Sequence, residues 1–146
     1  MGRWRERLSI QAHLAYCELK LRLRTRPDQT ARQQLLDHLH QYWRAGHFPE
    51  NKLHRSRRQP IFIDDRGVYC AVGYLMAQSG ANDLATKINH NNRFAYIENL
   101  DLNQQPELHH WLAKNGLSQT EAALIPPMAL TPITSNLSQC STLYNK

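Results

Sequence analysis

The sequence lacks any long run of apolar residues. Nowhere in its 146 residues is there a stretch approaching the ~20 consecutive apolar side chains that cross a bilayer. The basic start of the chain, residues 1–7, is not followed by the apolar core of a signal peptide. We therefore expect no membrane insertion and a soluble protein, either cytoplasmic or exported after loss of a leader.

Cysteine is scarce, and its spacing excludes two classes of site. The three cysteines, Cys17, Cys70 and Cys140, cannot all pair within one chain, and no two of them form a CxxC motif. This excludes a zinc ribbon and a thioredoxin-type redox motif. A reduced protein is the simplest interpretation, although one disulfide and one free thiol would equally suit an exported protein.

The eight histidines are not spaced for a metal site. His38 and His40 are two residues apart and His109 and His110 are adjacent, whereas two metal ligands on one helix require a spacing of three or four. We therefore predict no metal and no cofactor.

Length and composition predict one folded domain. Apolar residues make up 41% of the chain and charged residues 21%, which is ordinary globular usage. We expect a single helical domain over residues 1–127. Residues 128–146 are rich in Ser, Thr, Asn and Pro and are predicted to be a polar C-terminal tail or a strapped extension.

The formal net charge of +6 is concentrated in the N-terminal half. Residues 1–58 hold thirteen Lys or Arg against five Asp or Glu, whereas residues 59–146 hold five against seven. Such a footprint suits nucleic acid, an acidic protein or another polyanion. A solvated helix face followed by a solvated loop, carrying Arg55, Arg57 and Arg58, explains the same charges.

Helical periodicity dominates the chain. Residues 3–25 carry two adjoining apolar stripes, which suggests a helix well covered by its neighbours. Pro106 at a helix start and the capping box Ser118–Glu121 mark two further helices. Further helices are predicted over residues 30–45 and 71–90. The predicted fold class is mainly α, a compact bundle of about five to six helices. The two stripes of the first helix consist of Leu8, Ala12, Ala15, Leu19 and Leu23, and of Ile10, Leu14, Cys17 and Leu21.

One short β-hairpin is predicted around residues 60–70. Two β-prone triplets, residues 61–63 and 68–70, flank an Asp-Asp-Arg-Gly turn in which Gly67 can take a positive φ. Asp64 and Asp65 could form a carboxylate pair, but aspartate is favoured in such a turn anyway.

Cys70 is the leading candidate for chemistry. It is predicted to lie where a strand meets the N-terminus of a helix, and the free N–H groups and helix dipole there favour a thiolate. A catalytic thiolate needs a histidine base from elsewhere in the fold. The alternative is that Cys70 is a small buried apolar residue at this junction. The candidate bases are His47, His54, His90, His109 and His110, of which His47 and His90 are our first choices.

Four segments together resemble a family of small bacterial proteins with no assigned function. They read FPEN, PIFIDDRGVYCAVGYLM, NNRFAYI and GLSQTEAALIPP, and they occupy residues 48–51, 60–76, 91–97 and 116–127. The chain departs from the family layout at residues 125–127, where Ile-Pro-Pro replaces Ile-Gln-Pro. The resemblance implies that residues 46–100 form one unit, and it supplies no reaction. The polar or reactive positions that recur in that unit are Asn51, Asp64, Cys70, Asn91 and Asn92.

Three functions remain open at this stage. Our first hypothesis is a helical interaction or structural module whose basic N-terminal half binds an acidic partner through residues such as Arg55, Arg57 and Arg58. The alternatives are a cysteine-dependent hydrolase or acyltransferase centred on Cys70 and a sequence-independent nucleic-acid binder. We lean towards a protein that is not an enzyme. No helix-turn-helix, RNA-reading strand motif or zinc finger is evident in the sequence.

Overall fold

The protein is a bundle of short helices around one apolar core. A computed structural model describes residues 2–50 and 60–125. Buried side chains from all six α-helices belong to a single cluster. The α-helices are α1 Gly2–Leu23, α2 Thr30–Ala45, α3 Ala71–Gln78, α4 Asn82–Asn92, α5 Pro106–Lys114 and α6 Gln119–Leu124, with a short 3-10 helix at Ile97–Asn99.

The predicted mainly α fold with five to six helices is confirmed. The helix signals read from the sequence also appear locally. Pro106 opens α5 at its first turn, and Ser118 and Glu121 form the predicted capping box of α6 through reciprocal bonds. Gly46 ends α2 with a φ of 72°, a conformation that glycine adopts at no steric cost.

The predicted β-hairpin is wrong, since the described residues contain no strand. One isolated antiparallel bridge joins Ile63 and Tyr69. The reason is that groups outside the two β-prone triplets accept hydrogen bonds from backbone N–H groups of this segment. The Phe62 N–H donates to the Arg93 carbonyl at 2.9 Å, and the Val68 N–H donates to the Asp64 side chain at 2.9 Å. A ladder between two strands therefore does not extend beyond the single bridge.

α1 and α2 pack side by side through a buried carboxylate. Glu18 of α1 accepts hydrogen bonds from His40 Nδ1 at 2.9 Å and from Trp43 Nε1 at 2.8 Å, and it pairs with Arg22 at 2.7 Å. Burial raises the pKa of Glu18, but these donors outweigh it and lower the pKa below its ordinary value. Glu18 thus fixes which side of α1 faces α2.

α1 also contacts α6 on its other flank. His13 Nε2 donates to the Leu124 carbonyl at 3.1 Å, and the Cys17 thiol donates to the same oxygen at 3.4 Å. Residue 125, the last described residue, therefore lies beside the middle of α1. None of the helices in residues 2–50 and 60–125 combines the length and apolar character that a membrane span requires.

Candidate functional site

Cys70 is the N-cap of α3, at the helix start that the sequence predicts. Its backbone is extended and its sulfur accepts a hydrogen bond from the Gly73 N–H at 3.4 Å. Burial raises the pKa of the Cys70 thiol to about 11, and the backbone N–H groups of the helix start offset only part of this. The thiol is therefore protonated at neutral pH, and the helix terminus alone does not activate it.

The proposed histidine bases that belong to the described residues do not reach this sulfur. His47 and His90 are both exposed, and within the described residues no histidine hydrogen-bonds to Cys70. His109 and His110 are exposed on α5, and His54 lies outside the described residues. The cysteine-enzyme hypothesis stays a prediction, and the described geometry supplies none of the base contacts that it requires.

Asp64 organises the turn that follows Phe62. Its buried carboxylate accepts from the backbone N–H groups of Glu50 at 3.0 Å, Arg66 at 2.9 Å and Val68 at 2.9 Å, and it pairs with the Arg66 side chain at 2.9 Å. Burial raises the pKa of Asp64, but these bonds prevail and lower it. Because the described contacts all lie within the fold, Asp64 acts there as a structural residue.

The remaining predicted binding residues divide into two groups. Asn51, Arg55, Arg57 and Arg58 lie outside the described residues. Asn91 is exposed and Asn92 half-buried at the end of α4. Arg93, which follows them, donates to the Ile63 carbonyl at 3.1 Å and pairs with Asp65 at 2.7 Å. These two contacts link the end of α4 to the turn that contains Asp64.

Within the described residues, the side of α1 that faces away from the core carries exposed apolar side chains. We call it the outer face of α1. The fractional exposure is 52% for Trp4 and Leu8, 56% for Leu19 and 75% for Leu23. Monomeric proteins rarely expose large apolar side chains as a contiguous patch, so we treat this stripe as a candidate interaction surface. The outer face consists of Trp4, Leu8, Ala12, Ala15, Leu19 and Leu23.

Cations border the outer face. The Arg5 guanidinium lies 5.6 Å from the centre of the Trp4 ring, and Lys20 Nζ lies 5.3 Å from that of Tyr16. Arg22 lies on the opposite border, where it pairs with Asp37 at 2.8 Å. At about 100° per residue, Glu6 and Glu18, the acidic residues of α1, fall outside the stripe. The surface is apolar at its centre, with Arg5 and Lys20 making one edge basic, whereas Arg22 at the other edge is paired with Glu18 and Asp37.

Helical periodicity in the sequence identifies this stripe, but the prediction was that neighbouring helices cover it. Of the two adjoining stripes, the structure buries Leu14, Cys17 and Leu21, which are at most 2% exposed, and leaves the other outside. The sequence signal for an exposed surface is the combined width of the two apolar stripes, because α2 and α6 cover only one side of α1. Two apolar stripes around one helix imply either a second covering element or a surface kept for binding.

Comparisons with protein-family models, with curated proteins and with solved structures found no match to this chain.

Proposed function

We propose that the protein is a helical interaction module that binds an acidic, amphipathic helix of a partner protein on the outer face of α1. The observation that carries the proposal is the exposed stripe formed by Trp4, Leu8, Leu19 and Leu23. Together with Ala12 and Ala15, its members recur every three or four residues, which is the anchor spacing of helix-on-helix recognition.

The charges around the stripe favour an acidic partner. Arg5 and Lys20 border the apolar centre, and the stripe holds no carboxylate of its own. Acidic residues flanking the apolar side of a partner helix would meet these cations, which would steer the encounter and fix its register. An apolar centre with a charged rim resembles protein interfaces more than the cation-dense surfaces that bind nucleic acid.

The test is binding of a defined probe, a fluorescein-labelled synthetic helix with a leucine stripe flanked by glutamates. We expect saturable binding by anisotropy. Binding should weaken at least tenfold in the double variant Leu8→Gln/Leu19→Gln, because two anchors lose apolar contact. The matched control is Ala31→Gln/Ala113→Gln, which changes two exposed helical positions and should leave affinity unchanged.

A second arm tests the charge complementarity. Lys20→Gln should weaken binding of the acidic helix, and higher salt should reduce the difference because it screens exposed charges. Lys114→Gln, at an exposed position on α5, is the control for net charge alone. The proposal is overturned if the outer-face variants bind like their controls, or if duplex DNA or phosphatidylglycerol vesicles bind more tightly than the acidic helix at the same salt.

A further inference from the structure

We propose that His40 of α2 is a phosphorylation site, which accepts a phosphoryl group on Nε2 from a donor of the phosphoramidate class. The site lies at the junction of α1 and α2 and does not depend on the outer face of α1. Within residues 2–50 and 60–125, His40 is the one histidine that pairs with a carboxylate, that of Glu18 on α1.

Glu18 fixes the tautomer of His40. Burial raises the pKa of Glu18, but the bonds from Arg22, Trp43 and His40 lower it overall, so the carboxylate is ionised at neutral pH. An ionised carboxylate only accepts hydrogen bonds. His40 Nδ1, which lies 2.9 Å from Glu18 Oε1, must therefore carry a proton. In the neutral ring, Nε2 then keeps a free lone pair, which makes this nitrogen the nucleophile.

Trp43 holds the His40 ring in place. Its Nε1 donates to the same Glu18 oxygen at 2.8 Å, and its ring packs edge-on against the imidazole, with 4.9 Å between the centroids and 78° between the planes. The His40 side chain is nonetheless 41% exposed. Because Nδ1 faces the buried Glu18, the exposed part of the ring is the side that carries Nε2.

A carboxylate behind one ring nitrogen favours attack by the other. As the Nε2 lone pair bonds to phosphorus, the P–N bond of the donor breaks, and the donor nitrogen, already protonated, leaves as a neutral amine with that electron pair. The Nδ1 proton stays on the ring, which becomes positively charged beside Glu18. The carboxylate stabilises this charge, as the aspartate of a Ser-His-Asp triad stabilises its imidazolium.

Nearby cations favour a phosphoryl group over an uncharged acyl group. Arg44 is exposed and follows His40 by one helical turn, so both side chains emerge on one face of α2. The opposing charge on this face is Asp37, and Arg22 of α1 offsets it at 2.8 Å. A guanidinium matches the oxygens of a phosphoryl group in geometry and charge.

Reaction of the native full chain with potassium phosphoramidate tests the inference. Phosphorylated histidines are located by mass spectrometry of peptides kept out of acid, in which phosphohistidine hydrolyses. We expect His40 to react about tenfold faster than His47 or His90, because a charge-assisted bond stabilises its product. Both controls are more exposed than His40, so access alone would favour them. The variant His40→Gln should lose the fast site.

A second arm tests Glu18 as a positioning residue. The amide of Glu18→Gln still offers an oxygen to Nδ1–H but no negative charge, and we expect the rate at His40 to fall about tenfold while that of His47 stays the same. The matched control is Asp37→Asn, which removes a carboxylate from the same face and should not slow His40. Nitrogen NMR of the parent protein adds a readout that stability does not move: His40 should carry its proton on Nδ1, whereas free histidine favours Nε2.

Three results would rule out this site. His40 could react no faster than His47 and His90, which would indicate only adventitious labelling of exposed imidazoles. NMR could show the His40 proton on Nε2. Finally, Glu18→Gln could keep the fast rate, or Asp37→Asn lose it, with circular dichroism showing intact helices. If Glu18→Gln does not fold, the rates and the tautomer in the parent protein decide.

Discussion

Arg32 of α2 and Glu121 of α6 form a buried two-point ion pair. The Arg32 side chain is 4% exposed, and its Nη2 lies 2.6 Å from Glu121 Oε2; its Nη1 donates to Oε1 at 2.9 Å. Burial raises the pKa of Glu121, but the bonds from Arg32 and the capping box lower it overall. The same guanidinium donates to the Leu21 and Gly116 carbonyls. Arg32 therefore joins the end of α1 to the start of α6.

Removing this guanidinium should destabilise the fold strongly. We expect Arg32→Ala to lower the free energy of unfolding by about 3–5 kcal/mol, because it leaves a partly buried carboxylate without its counter-ion. Urea denaturation measures the loss. The control is Arg26→Ala, whose partner Asp28 is 3.5 Å away on the surface and which should cost at most about 1 kcal/mol. Equal costs would contradict the assigned role of Arg32.

Stability should fall as the pH drops below about 6.5 because of His13. Burial lowers the pKa of His13 from its ordinary value of 6.5, against the opposing effect of the Leu124 and Ile125 carbonyls. The unfolded chain therefore takes up a proton in a pH range where the folded chain does not, which favours unfolding as the pH falls. Urea denaturation at pH 7.5 and 5.5 should show a smaller loss for His13→Gln than for the parent. An equal loss of stability in the parent and in His13→Gln would contradict this role of His13.

Asp64 and its neighbour Asp65 should differ sharply in their contribution to stability. Asp64→Asn removes the charge that holds Arg66 and one oxygen that accepts backbone N–H groups, and we expect a loss of about 1–3 kcal/mol. Asp65→Asn affects only an exposed pair with Arg93, worth at most about 1 kcal/mol. Thermal denaturation of the two variants checks the order. A larger effect at Asp65 would reverse the assignment.

Cys70 should alkylate slowly in the native protein. A thiol with a pKa of about 11 is ionised in roughly one molecule in ten thousand at pH 7. The rate of labelling by iodoacetamide should therefore rise about tenfold per pH unit up to about pH 10, if the fold persists there. Mass spectrometry identifies the labelled residue, with Cys70→Ser as the control. A rate that levels off below pH 8 would instead indicate an activated thiolate and revive the cysteine-enzyme hypothesis.

Signals confined to a few neighbouring residues predicted the fold well. Pro106 and the capping box at Ser118 act within one helical turn, so the sequence contains all the residues that determine them. The hairpin failed because a competitor is distant in the chain: the Arg93 carbonyl accepts the hydrogen bond of the Phe62 N–H, which would otherwise donate to the partner strand. Their proximity depends on the packing of α4, which no local pattern in residues 60–70 reveals.

Prediction of the candidate site is limited in the same way, by contacts between residues that are distant in the chain. Periodicity located both apolar stripes of α1, yet the choice of which stripe is buried depends on tertiary contacts of Glu18 and His13 with α2 and α6. A carboxylate and a histidine on one helix do not by themselves indicate the core side, because either can be solvated. The Cys70 position was predictable from its helix start, whereas the pKa of its thiol depends on burial by the surrounding fold.

The close interleaving of the two stripes on α1 has a consequence for its length. Leu14 and Leu21 are buried while Leu19 and Leu23 are exposed, so each turn of this helix contributes to the core and to the outer surface. Inserting one residue between Ala15 and Tyr16 would rotate everything beyond it by about 100°, taking Glu18 and Leu21 out of register with α2. Homologous chains should therefore vary in the residues along this helix far more readily than in their number.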